Sequence, residues 1–276
     1  MSSESFRSTH KSWLESFRVY QRPRVRSMLF LGFSAGLPYM LVFATLSRWL
    51  REAGIERSAI GFISWIMLAY AFKWVWAPFV DRLSIPVLTQ KLGRRRSWML
   101  LAQMSIMVSL TGMALSDPQQ NLTQLVSFAL LVAFASATQD IAIDAYRIEA
   151  VEEELQAAMA ATYMIGYRLA MILSFAGALY IASFFDINET TYRYFSWQVS
   201  YLAMAMTMLV GIITTFVISE PEVTTDSGTL ARERHMQEVI EGFKYIPSFI
   251  RKFIDWVYNA VISPFLDFLI RYRWQA

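Results

Sequence analysis

Residues 130–149, LLVAFASATQDIAIDAYRIE, decide how this chain is read. They open as an apolar run of the kind that crosses a bilayer, for which about 20 helical residues suffice. Into its inner part the run places two carboxylates, Asp140 and Asp144, one helical turn apart. Ionisable groups at that depth are costly, and they ordinarily face a bundle interior or a wetted cavity and mark an ion or substrate path. With Arg147 they follow i, i+4, i+7 spacing, which stacks all three on one helix face. The stretch reads as one membrane helix of a transporter.

The rest of the chain agrees. Of 276 residues 55% are hydrophobic and only 17% charged, and the apolar residues come in blocks instead of amphipathic stripes. Spans are expected at about 28–50, 59–80, 98–116, 123–146, 158–183 and 197–219. Six spans put both termini on one side. Most Lys and Arg fall before Met28, after Ser219, and in the loop with Arg82, Lys91, Arg94, Arg95 and Arg96, while the opposite loops hold only Arg51, Arg57 and Arg193. By the positive-inside bias, both termini are expected in the cytoplasm. The expected organisation is a basic cytoplasmic tail over 1–27, a transmembrane bundle over 28–219 and a cytoplasmic or interfacial connector over 220–276. The Arg-rich start is not expected to be a signal peptide, because the block that follows is too long and no Ala-x-Ala-like site ends it. Residues 238–276 interleave Lys244, Arg251, Lys252, Asp255, Asp267, Pro247 and Pro264 with apolar residues, which suits helices lying in the membrane interface.

Other classes find no support. The formal charge of +3 sits in loops and sets membrane orientation, and no nucleic-acid-binding motif accompanies it. The chain has no cysteine, and its two histidines, His10 and His235, lie in segments expected to be soluble. No metal site and no cofactor is therefore expected, and no nucleophile or phosphate-loop constellation suggests an enzyme.

Charged residues inside the spans sort by depth. Lys73, Asp140 and Arg168 come out at about 10–15 Å from the cytoplasmic boundary, on a rise of about 1.5 Å per residue, so the three are expected to meet. One reading is structural: ion pairs pin the second, fourth and fifth spans together. The other is functional: Asp140 or Asp144 takes and releases a coupling proton while Lys73 or Arg168 attracts an anionic substrate. Gln139 can bind substrate or satisfy a neighbouring helix. Tyr39, Tyr70, Tyr163 and Tyr167 can stack on sugar rings or act as packing anchors. Gly32, Gly36 and Pro38 suit close helix contact and a kink.

In residues 77–98, APFVDRLSIPVLTQKLGRRRSW, an acid ends a helix at Asp81, Arg82 follows, and Gly93 precedes Arg94, Arg95 and Arg96. This resembles the cytoplasmic loop motif of the major facilitator superfamily, where the acid and the arginines form an interhelical latch. The separation of Asp81 and Gly93 exceeds the usual spacing of that superfamily and is a feature of one branch. Together, GFSAGLPY (32–39), FKWVWAPFVDR (72–82), LGRRRSW (92–98) and ATQDIAIDAYRIE (137–149) resemble the AmpG-type muropeptide permease family. The related acetyl-CoA transporter family carries a similar TQDIA-x-D run. The resemblance covers nearly the whole chain and departs at Phe43 and Arg48, where small or polar residues are usual.

The resemblance implies an all-α integral membrane protein whose six-helix bundle is one half of a major facilitator fold. It implies proton-coupled import of anhydro-muropeptides across the inner membrane for cell-wall recycling. In that family the substrate lies between two six-helix halves, as in other transporters built from repeats. A second half-transporter chain or self-association is then the expected partner, beside the lipid bilayer, and this chain alone is not expected to transport. Two rival readings stay open: an acetyl-CoA-type carrier of nucleotide thioesters, and a truncated, non-transporting membrane scaffold.

Overall fold

The computed structural model describes residues 18–186, 192–221 and the separate positions 250, 254, 258, 262 and 263. Six helices are long and apolar enough to cross a membrane: α1 (Pro23–Glu52), α2 (Arg57–Val75), α3 (Arg94–Ala114), α4 (Pro118–Glu149), α5 (Glu153–Phe185) and α6 (Tyr194–Val217). No strand occurs among the described residues. The protein is a multi-pass helical membrane protein. Of the tail expected over 1–27, residues 1–17 lie outside the described residues, as does most of the connector in which interfacial helices were expected.

The helix ends differ from the expected ones for local reasons. The first helix starts earlier, at Pro23, because proline at the first helical position brings a preset φ and lacks only an N–H that would be unpaired there anyway. Asp117 caps α4 by accepting from the Gln119 amide at 3.0 Å. The second expected span divides: α2 ends at Val75, and a separate short helix, Ala77–Arg82, carries Pro78 in its first turn. Much of α2 is wound as 3₁₀ helix, at Ser64–Met67 and again at Lys73–Val75. A further short helix, Leu88–Leu92, leads into α3.

The central contact is α1 against α5. A methyl added at Gly32 or Gly36 would overlap the backbone carbonyls of Tyr163 and Tyr167, and one at Gly166 would overlap that of Leu29. Lipid supplies no hydrophobic drive between helices, so close packing of small residues is what joins them.

Both helices also widen into a π turn, Leu41–Thr45 in α1 and Leu173–Gly177 in α5. Such turns expose carbonyls, and neighbours satisfy them here. The Tyr201 hydroxyl of α6 donates to Leu41 O at 2.8 Å, and the Thr45 hydroxyl donates to Ser174 O at 2.8 Å.

Two apolar clusters fill the bundle. One, toward the Glu52 end, includes Trp49, Trp197 and Tyr201, with the two indoles stacked at 5.8 Å. The other, toward the Arg95 end, includes Met28, Met99, Ile143 and Tyr146. Polar side chains are buried with them: Gln139 Nε2 donates to Ser34 Oγ at 3.1 Å, and Thr215 Oγ1 donates to Gln103 Oε1 at 2.9 Å. Coverage is uneven. The most apolar window of α1 and of α4 is 61% buried, against 22% for α5 and 6% for α2.

Candidate translocation site and charge latch

Asp140 and Gln139 are carried on the stretch of α4 that packs toward α1 and α2. The Asp140 Oδ1 atom is buried and makes no hydrogen bond among the described residues. Lys73 and Asp144 are the charged groups whose fields reach it. No ion pair within 4.0 Å involves Asp140 or Lys73 among the described residues. Two more buried polar atoms nearby make no hydrogen bond among the described residues, Ser136 Oγ and Tyr70 OH, and Gln139 Oε1 is a third, on a side chain turned toward Ser34 of α1. Tyr70 on α2 lies against Ser136, one turn before Asp140, though the two hydroxyls do not reach hydrogen-bond geometry. Buried polar atoms in folded proteins are nearly always paired, so these unpaired ones make this stretch of α4 and α2 a candidate polar site.

Aromatic rings border this group. Tyr39, Phe43 and Tyr70 meet at centroid distances of 5.0–5.9 Å. Tyr163 and Tyr167 of α5 stand 6.0 Å apart, and the Arg147 guanidinium lies 6.0 Å from the centre of the Tyr163 ring. Asp144 and Arg147 pair at 3.3 Å along one face of α4, so Asp144 has a local partner that Asp140 lacks.

Arg168 does not join them. It sits on the exposed side of α5, away from the buried stripe of Thr162, Gly166 and Ala170, and makes no ion pair among the described residues. The expected meeting of Lys73, Asp140 and Arg168 is therefore corrected: equal depth fixes height along a helix, not the direction in which a side chain points. Mid-depth ion pairs pinning α2, α4 and α5 are also not formed by these residues.

Of the residues expected to form the latch, Arg95 is the centre of an interhelical ion-pair cluster. Its side chain is 7% exposed, and Nη1 donates to Asp81 Oδ1 at 2.6 Å. Nε and Nη2 together grip Glu149 at the end of α4, at 2.9 and 2.5 Å. Such a two-pronged carboxylate grip suits the planar guanidinium. Arg96 donates from Nε to Thr215 O and from Nη2 to Phe216 O, both at 2.9 Å, covering carbonyls at the end of α6. Arg94 Nε is buried without a partner among the described residues, and Arg82 ends the short helix that carries Asp81.

Gly93 starts α3 with φ +90°, a left-handed conformation that side chains resist. A Cβ there would also overlap Glu220, whose carboxylate accepts from the Arg95 and Arg96 amides at 2.7 and 3.1 Å. An anion on free helix amides is the favourable arrangement at an N-terminus. Glu149 and Glu220 are the latch residues that sequence reasoning missed. The first closes the quoted run in α4 and could have been suspected from it; the second carries no local signal.

A family model, described as Major Facilitator Superfamily, matches residues 28–271. The chain belongs to that superfamily. Among its curated relatives, "Putative transporter AmpG 4" of Rickettsia felis is 33% identical over 254 residues, which is 92% of this chain and 54% of the relative. The "Anhydromuropeptide permease" of Escherichia coli K12 is 36% identical over 207 residues, 75% of this chain and 40% of the permease. "Putative transporter AmpG 3" of Rickettsia typhi is 35% identical over 227 residues, with 82% and 52% covered. The chain thus spans about half the length of the curated relatives it matches. The resemblance read from its motifs is the one that these relatives carry, and they are named as transporters and permeases.

Proposed function

We propose that this chain forms one wall of a proton-coupled importer of anhydro-muropeptides in the inner membrane, with both termini in the cytoplasm. The observation that carries the reading is Asp140, a carboxylate set deep in α4 with a buried oxygen that accepts no hydrogen bond among the described residues and with Lys73 and Asp144 nearby. Such a group changes its proton with its surroundings, since a shift in water access or in a neighbouring charge alters the cost of ionising it. The names and sequences of the relatives support the cargo.

In this mechanism Asp140 takes the coupling proton, with Asp144 assisting. Lys73 and Arg168 hold carboxylates of the substrate, and Gln139, Tyr163 and Tyr167 contact its polar and ring portions. The exposed position of Arg168 suits a ligand contact. The sparse coverage of α2 and α5 supports a second six-helix bundle as the facing wall, from another polypeptide or a second copy. Rocking of the two walls about the site then alternates access, and the Asp81–Arg95–Glu149 latch steadies the cytoplasmic end.

The test uses proteoliposomes holding the chain with a complementary bundle from a full-length relative. Asp140→Asn should abolish uphill accumulation of labelled anhydro-muropeptide under an imposed proton gradient and leave exchange intact. Unaltered accumulation would return Asp140 to a purely structural role.

A further inference from the structure

At the end of the bundle opposite Arg95, α1, α5 and α6 border an open cavity of about 720 Å³ that the transport mechanism does not use. Its rim carries both signs of charge, and only part of that charge is satisfied. Glu52 is fully engaged, accepting from Arg48 Nε at 2.7 Å and from Trp197 Nε1 at 2.8 Å. Asp186 Oδ1 is buried and accepts no hydrogen bond among the described residues. On the donor side, Arg48 commits only Nε among the described residues, and Arg193 makes one long contact, from Nη1 to Phe185 O at 3.4 Å. The rim therefore brings the Asp186 carboxylate to the same opening as two exposed guanidiniums whose N–H groups are largely uncommitted among the described residues. A ligand that satisfies both carries an N–H cation and an anion within one small group.

The wall indicates what else that ligand carries. Along α5 the lining passes from Asp186 and Ser183 through Ala182 to Leu179 and Phe175. On a rise of about 1.5 Å per residue this is about 16 Å, running from the helix end toward mid-membrane. Polar groups at the interface and apolar groups below them, with Trp197 on the opposite wall, are the profile of a lipid lying along the membrane normal. A free zwitterion would fill the rim and leave the apolar wall unused.

We propose that this cavity binds a phospholipid of the phosphoethanolamine type. Its ammonium would sit on Asp186, its phosphate on Arg48 and Arg193, and an acyl chain along Leu179 and Phe175. The site is independent of the transport reading and stands or falls separately.

The test is the melting temperature of the purified full chain in detergent with short-chain lipids added. Dioctanoyl phosphatidylethanolamine at about a hundredfold excess over its Kd should raise it by roughly 5 °C or more. Dioctanoyl phosphatidylglycerol lacks the cation and dioctanoyl phosphatidylcholine lacks the N–H donors, so each should do markedly less. Asp186→Asn and Arg193→Gln should erase the preference, and Leu179→Trp should block binding by filling the apolar wall. Equal shifts from all three lipids, or a preference kept in Asp186→Asn, would overturn the proposal. So would an equal shift from tail-free glycerophosphoethanolamine or from alanyl-alanine. Should Asp186→Asn not fold, the headgroup comparison on the unaltered chain decides alone.

Discussion

Arg95 joins three parts of the bundle through one guanidinium: the helix that carries Asp81, the end of α4 at Glu149, and its own helix α3. Lysine has one ammonium and cannot reproduce the fork. Removing one member of a buried ion pair costs about 3–5 kcal/mol, and the 45% exposure of the Asp81 side chain argues for the lower end of that range. Arg95→Ala is therefore expected to lose about 3 kcal/mol, Arg95→Lys to recover little of it, and Asp81→Asn to cost less than Glu149→Gln. Thermal melting in detergent ranks the four variants; an Arg95→Lys protein as stable as the parent would remove the fork from the account. At this scale the sequence was half legible. Asp81 and the arginines announced themselves by type and spacing. Glu149 and Glu220 lie 54 and 125 residues from Arg95, and an acid at a helix boundary looks the same whether it is solvated or clamped. Arg168 was misplaced for a related reason, since its depth was readable and its azimuth was not.

Among the helices, the paired π turns of α1 and α5 are the feature that apolar periodicity could not reveal, because a wide turn leaves composition and span length unchanged. Gly32 and Gly36 were more legible, since small residues at helix spacing suit a close helix contact, whereas Gly166, their counterpart on α5, and the identity of the partner helix were not read from the sequence. Thr45 donates across that contact to a carbonyl within the α5 turn. Thr45→Val keeps the shape and removes the donor, and interhelical hydrogen bonds in membranes are worth about 0.6 kcal/mol on average and up to about 1.7. The variant is expected to fall within that range, and Tyr201→Phe, which strips the Leu41 carbonyl of α1, to behave alike. Denaturation in mixed micelles measures both. Losses well above the range would mean that the turns themselves rearrange.

For the whole molecule, the uncovered face of α2 is the open question that a cysteine-free chain makes easy to ask. Phe62 and Trp65 on α2 and Ile213 and Val217 on α6 are all exposed. Single cysteines at these four sites, spin-labelled in nanodiscs, should report similar oxygen accessibility in lipid alone. Adding the complementary bundle should shield positions 62 and 65 and leave 213 and 217 unchanged; equal accessibility at all four would exclude α2 from the docking face. The clamp on Glu220 has a mechanical consequence at the same scale. The chain leaves α6 moored to the first amides of α3, beside the Arg95 bridges, so a pull on the segment that follows is felt at α3 before it can unwind the last turn of α6.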